Sequence, residues 1–290
     1  MATAATKSQS TEIAVKSQQA VQQFVEDPEY AAEIAADAGK GLDNVDADSV
    51  AIPFLAVLQT NSPQCDADSG EYLSGAKAGM LCNTVTKEIF DGKVGVLFIP
   101  CEYQRKFLRW SPREVGGGFK GEIKPEDVLK MRETKRLIEL ENRLFVPDEN
   151  GNVNPKKNDK VADTRVHYIL LLNPNTGQAQ QAVLSLASTQ IKKSKQLISL
   201  LGNKVIKDPV TGQTATPPTF ANVVRVTTVA EQNDQGKWSG VKFELEGLVR
   251  DSATYRMARA FHMMVRADRA AVNYDAAAGS AEDETQSGRF

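Results

Sequence analysis

The chain has 290 residues, 41% hydrophobic and 25% charged, enough apolar material for one large core or two modest ones. No run approaches the roughly 18 to 20 consecutive apolar residues of a membrane helix. The opening MATAATKSQSTE lacks the charged and apolar regions of an export signal, so a cytoplasmic protein with no membrane contact is expected. Cys65, Cys82 and Cys101 are odd in number and far apart, which argues against a disulfide framework and fits a reducing compartment.

The net charge of −2 hides a division along the chain. Residues 1–92 carry 5 basic and 14 acidic side chains, residues 93–274 carry 29 and 19, and residues 275–290 carry one and four. A basic middle raises the encounter rate with polyanions, although the same charges could simply mix over one folded surface.

Residues 1–11 read as a flexible tail, and a weak helical stripe of Val21, Phe24 and Val25 lies within an Ala- and Glu-rich stretch. Pro28 is placed to start a short helix that ends at Gly39 and Gly41. These residues, 1–41, form an acidic N-terminal segment ahead of a single body spanning 42–274. In that body SVAIPFLAVLQ (49–59) is expected to dock on the core. Val94–Pro100 and Tyr103–Trp110 read as two successive strands, and Val128–Leu144 as a charged helix.

A long polar loop (146–163) follows. Arg165–Leu172 and Gln180–Leu186 then flank the turn-forming Asn173-Pro-Asn-Thr-Gly177 as a hairpin. A helix over 188–201 closes at Gly202. Two strands (222–229 and 241–248) and a last helix from about Ser252 to Val272 complete the body, and residues 275–290 read as a disordered acidic tail. The fold expected is α+β, an antiparallel β-sheet core flanked by helices with flexible ends.

Tyr103-Gln-Arg-Lys-Phe-Leu-Arg-Trp110 is the most informative stretch. On a strand, Tyr103, Arg105, Phe107 and Arg109 share one face, and Lys106 and Trp110 share the other. Single-strand binders need this mixture, because cations track phosphates while flat rings stack on unpaired bases. An ordinary strand with buried rings and solvated arginines has the same pattern. The next loop carries Arg113 and Lys120 around Gly116, Gly117 and Gly118. It matches G-x-G-x-x-G only formally, since no helix opens at Gly121, and it suits either a backbone-gripping flap or an unliganded hairpin tip.

Lys192, Lys193 and Lys195 line a helix as a further phosphate track or as a solvated face. Arg259 and Arg266 turn away from the apolar side of the last helix, whose methionines read as core or subunit interface. Glu282, Asp283 and Glu284 with the terminal Phe290 make a tail for partner proteins, or one that is merely solubilising. His167 and His262 stand in no ligand spacing. No C-x-x-C or G-x-S-x-G occurs, so a non-enzymatic protein without metal or cofactor is expected, and a metal-dependent nuclease lacks its motifs.

AIPFLAVLQTNSPQ (51–64), GAKAGMLCNTV (75–85), IPCEYQRKFLRWSPREVGGGF (99–119) and STQIKKSKQ (188–196) together resemble a group of tailed-bacteriophage proteins. The resemblance is greatest to the single-stranded-DNA-binding RNA polymerase cofactor of lytic podoviruses, over about residues 42–200. It implies preferential binding to single strands, a fold unlike the usual OB barrel, and recruitment of a phage RNA polymerase at melted promoters in the host cytoplasm. The terminal Phe290 is similar to the tails of replication-type single-strand binders, which keeps replication or recombination open. Homo-oligomers would add avidity. The rival reading is a protein-interaction module that grips polymerase or another partner and touches DNA only weakly.

Overall fold

The computed structural model describes residues 28–37, 40–41, 52–207, 210–233, 236–270, 272 and 274. The chain divides into two units, residues 1–49 and 50–290. In the first, helix α1 (Pro28–Ala36) opens on its proline, whose fixed φ suits a first helical turn where the missing N–H costs nothing. The expected stripe before Pro28, and the tail bearing Glu282, Asp283, Glu284 and Phe290, lie outside the described residues.

The second unit is α+β and mostly antiparallel strand. β1 (Leu55–Val57), β2 (Leu81–Asn83) and β3 (Ile89–Phe90) form a small sheet. The main sheet is organised by two long strands, β4 (Val96–Trp110) and β8 (Lys160–Leu172), paired from Leu97 opposite Leu172 to Trp110 opposite Lys160. At the Leu97 end β4 takes β12 (Asn222–Asn233), which pairs with β13 (Gly236–Leu248), while β8 takes β9 (Ala179–Ala187). At the Trp110 end the partners change. β4 takes β5 (Phe119–Ile123), and β8 takes β7 (Arg143–Phe145), which pairs with β6 (Ile138–Leu140). A separate hairpin joins β10 (Ile206–Lys207) to β11 (Thr214–Ala215). Among the described residues no ladder joins the outer strands to one another, so the main sheet stays open rather than closing into a barrel.

Two cores lie on opposite faces of this spine, as the period-2 alternation of β4 dictates. Phe98, Ile169, Leu184, Val226 and Phe243 form one, into which α3 (Ile191–Gly202) inserts Leu197 and Leu201. Ile99, Leu108, Trp110, Tyr168 and Leu170 form the other, covered by Ala258, Phe261 and Val265 of α4 (Ser252–Arg266). The described part of the segment expected to dock, residues 52–59, does so, with Ile52 and Phe54 in the second core and Leu55 in the first.

Two expectations change. The runs at 94–100 and 103–110 are one strand, because the register shifts between Pro100 and Glu102 and absorbs Cys101. The charged helix expected to reach Leu144 stops early. α2 (Pro125–Glu133) ends where Thr134 returns its hydroxyl to the Lys130 carbonyl, and Lys135, Glu141 and Asn142 adopt positive φ to turn the chain into the β6–β7 hairpin.

Two glycines are set by close approach. A Cβ on Gly92 would lie 1.8 Å from the Gly79 carbonyl oxygen, where Gly92 also accepts the Thr228 N–H at 2.7 Å. Gly95, at φ +73°, would set a Cβ 2.2 Å from the Val226 oxygen.

Candidate nucleic-acid interface

The cations of β4 face outward in part, but each is matched by a carboxylate. Arg105 holds Asp163 with both arms of its guanidinium, Nε to Oδ1 at 3.0 Å and Nη2 to Oδ2 at 2.8 Å, and this pairing raises its already high pKa. Arg165 of β8 reaches the same carboxylate at 3.1 Å and donates to the Tyr103 hydroxyl at 3.1 Å. Arg109 donates to Asp159 at 2.7 Å. On the other face, Lys106 meets Glu122 at 2.8 Å and lies 5.9 Å from the Tyr274 ring centroid. Burial works against the charged ammonium of Lys106, but the hydrogen bonds to and the charges of Glu122 and Tyr168 together outweigh it and raise the pKa.

The rings of this strand divide. Phe107 and Trp110 are 5% and 4% exposed. Phe107 packs with Val128, Leu137 and Val161 under the Arg105 guanidinium, and Trp110 packs edge-on against Phe119 at 5.5 Å. These two rings are packed among other side chains, support the fold, and stand away from the outer surface of the strand. Of the three rings expected to stack on bases, two are therefore nearly buried. Tyr103 alone stays half-buried, 5.2 Å from the His167 ring.

The remaining basic residues separate in the same way. Lys193 is engaged by Glu231 at 2.8 Å, in a cluster where Glu231 also accepts from Trp238 Nε1 at 2.9 Å and Gln190 Nε2 at 3.2 Å. Burial opposes the charge on Glu231, yet these donors hold its pKa below the usual range. Lys120, Lys192 and Lys195 are exposed and make no ion pair among the described residues. Arg113 lies in a 3-10 turn, Arg113–Val115, with its side chain outside the described residues.

The uncompensated charge gathers on α4. The helix SATYRMARAFHMMVR contains three arginines and no acid. Its N-terminus is capped by Asp251, whose Oδ2 accepts the Thr254 N–H at 2.7 Å, and this hydrogen bonding holds the carboxyl below its usual pKa. Because Ala258, Phe261 and Val265 turn into the second core, the helical period leaves Arg256, Arg259 and Arg266 outside. Arg250 and Arg269 flank the helix. All five guanidinium groups are exposed, and none makes an ion pair or side-chain hydrogen bond among the described residues.

At 100° per residue, Tyr255 and His262 fall on the same side as Arg259 and Arg266. The Phe220 ring lies against both, 5.5 Å from Tyr255 and 5.1 Å from His262, and all three rings are half-buried. His262 Nδ1 stands 3.0 Å from the Cys101 carbonyl oxygen and 2.9 Å from Glu102 Oε2. Both neighbours are acceptors, so this nitrogen carries the proton and the ring is fixed. Met257 and Met263, expected in a core or interface, are 48% and 59% exposed.

Sequence reasoning noted Arg259 and Arg266 but passed over Arg256, Tyr255 and Phe220. The available signal was a 15-residue helix without a single acid.

His167, Cys82 and Cys101 are enclosed. Burial lowers the His167 pKa to about 4, with Nε2 2.8 Å from Ser194 Oγ, and raises the Cys82 and Cys101 thiols to about 11 and about 12. Among the described residues no helix is long and apolar enough to cross a membrane, and no three His, Cys, Asp or Glu side chains are grouped so as to hold a metal ion.

No curated protein and no solved structure matches the chain. The family model described as Pam3 phage gp34-like protein matches residues 16–271, the greater part of the chain, and the protein therefore belongs to this phage family.

Proposed function

We propose that this phage protein binds single-stranded DNA without sequence preference, gripping the phosphate backbone through α4 and acting by binding rather than catalysis. The observation that carries this reading is an exposed arginine face that makes no ion pair among the described residues, with half-buried rings beside it. Arg256, Arg259 and Arg266 are free to neutralise phosphates, while Tyr255, Phe220 and His262 offer flat edges to unpaired bases. Exposed Lys192, Lys195 and Lys120 add positive field, and Tyr103 adds one accessible ring. Arg105, Lys106, Arg109 and Lys193 contribute less, because a phosphate would have to displace Asp163, Glu122, Asp159 or Glu231.

The resemblance to podoviral single-strand binders supports a role at melted promoters with a phage RNA polymerase, or in replication. Fluorescence anisotropy of labelled single- and double-stranded oligonucleotides across a salt series tests the reading. Salt-dependent preference for single strands supports it. Equal affinity for duplex leaves a general polyanion binder. Absence of binding at low salt favours the protein-interaction module, for which the exposed Met257 and Met263 supply an apolar contact.

A further inference from the structure

A second feature lies away from the α4 face, at the outer edge of β8. On that edge β9 ends with Ala187 opposite Thr164, and the pairing of β7 with β8 stops at Leu144 opposite Val161. Ala162 and Asp163 therefore have no strand partner on this side. A cleft of about 440 Å³ opens at the gap, within the range of small-molecule sites. Its lining includes the apolar Phe107, Val161 and Leu186 together with Arg105, Arg132 and Arg143.

The charges of the lining are unequal. Asp163 is held by Arg105 and Arg165, and Glu139 by Arg132 at 2.6 Å. Arg143 is half-buried and makes no ion pair or hydrogen bond through its side chain among the described residues. A half-buried cation in the lining of a largely apolar cleft, with no counter-ion among the described residues, is complementary to an anion carried on an apolar body.

The shape narrows the class further. A two-residue break in the ladder is too short to accept a strand from another chain, but it matches the edge of one planar ring. The apolar side chains in the lining suit a ring's faces, as in pockets that take an unstacked base.

We propose that this cleft receives a single unstacked nucleobase, with its phosphate against Arg143. The inference rests on the single-strand reading and adds to it a pocket separate from the α4 track.

The test uses the full chain carrying Trp238→Phe, so that Trp110, which lines the cleft, is the only tryptophan. Adenosine 5′-monophosphate is titrated while Trp110 fluorescence is followed, with inorganic phosphate as the comparison. The expected result is a saturable change with the nucleotide, little change with phosphate, about tenfold weakening in Arg143→Ala and recovery in Arg143→Lys. Circular dichroism melting checks that the Ala variant remains folded.

No saturable change, or one equal in wild type and Arg143→Ala, overturns the proposal. An equal response to phosphate alone overturns the base-binding part. Oligonucleotide anisotropy on the same samples separates the two readings. Oligonucleotide binding without nucleotide binding removes the cleft and leaves the α4 track, whereas nucleotide binding without oligonucleotide binding does the reverse.

Discussion

Arg105 and Asp163, 58 residues apart in sequence, meet across the β4–β8 ladder through two parallel hydrogen bonds of 3.0 and 2.8 Å. A guanidinium held on both arms has spent its best donor geometry inside the protein, and a phosphate gains little by competing for it. Asp159 and Glu122 treat Arg109 and Lys106 likewise. The account therefore predicts that Arg105→Ala with Arg109→Ala changes single-strand affinity by less than about threefold, and the salt slope by less than about one. A titration of this double variant over a salt series checks it.

Lys193 and its helix neighbours should separate in the same way. Lys193→Ala leaves the half-buried Glu231 without its cation, though still bonded to Trp238 and Gln190, and the expected cost is about 1 to 2 kcal/mol of stability with DNA affinity little altered. Lys192→Ala with Lys195→Ala should leave the urea midpoint unchanged and weaken DNA binding by a few fold, since both are exposed and unpaired.

Gly92→Ala should destabilise the second unit by roughly 3 kcal/mol, because its Cβ would collide with the Gly79 backbone where Thr228 is also bound. The chemical denaturation midpoint is the readout. A shift of less than about 0.5 kcal/mol would show that the loop moves aside without penalty.

His167 gives the fold a dependence on acid. Its pKa falls from the ordinary 6.5 to about 4 on folding, through burial. Above pH 6.5 both folded and unfolded chains hold it neutral, and its effect on stability is constant. Between 6.5 and about 4 the unfolded chain takes up the proton first, so stability is lost as pH falls, by up to about 3 kcal/mol, and the loss levels off below 4. Urea midpoints of wild type and His167→Gln between pH 7 and pH 4 should converge as the pH is lowered.

Much of the fold is legible in local pattern. The alternation of Val241, Phe243 and Leu245 marks β13, Asn173–Gly177 marks the β8–β9 turn, and the apolar period at Leu197 and Leu201 marks α3. The break at Pro100 misleads because a one-residue bulge keeps β4 continuous, which no local propensity records. The helix read to Leu144 fails at positive-φ turns in non-glycine residues, where tertiary packing overrides propensity.

The site is harder to read for a different reason. Which cations are free depends on partners such as Asp163, Asp159 and Glu231, placed opposite them only by the sheet register. The arginines of β4 are neutralised, while those of α4 meet no carboxylate in an ion pair among the described residues.

The most direct measurement compares wild type with the Arg256→Ala, Arg259→Ala, Arg266→Ala triple variant, by anisotropy of a labelled single-stranded oligonucleotide over a salt series. All three side chains are exposed, so the fold should be retained, and circular dichroism verifies this. The account predicts about a hundredfold loss of affinity at low salt and a salt slope shallower by about 2, near 0.7 for each phosphate contact removed. Unchanged affinity and slope in a folded triple variant would contradict it, and would move the DNA-binding surface off α4.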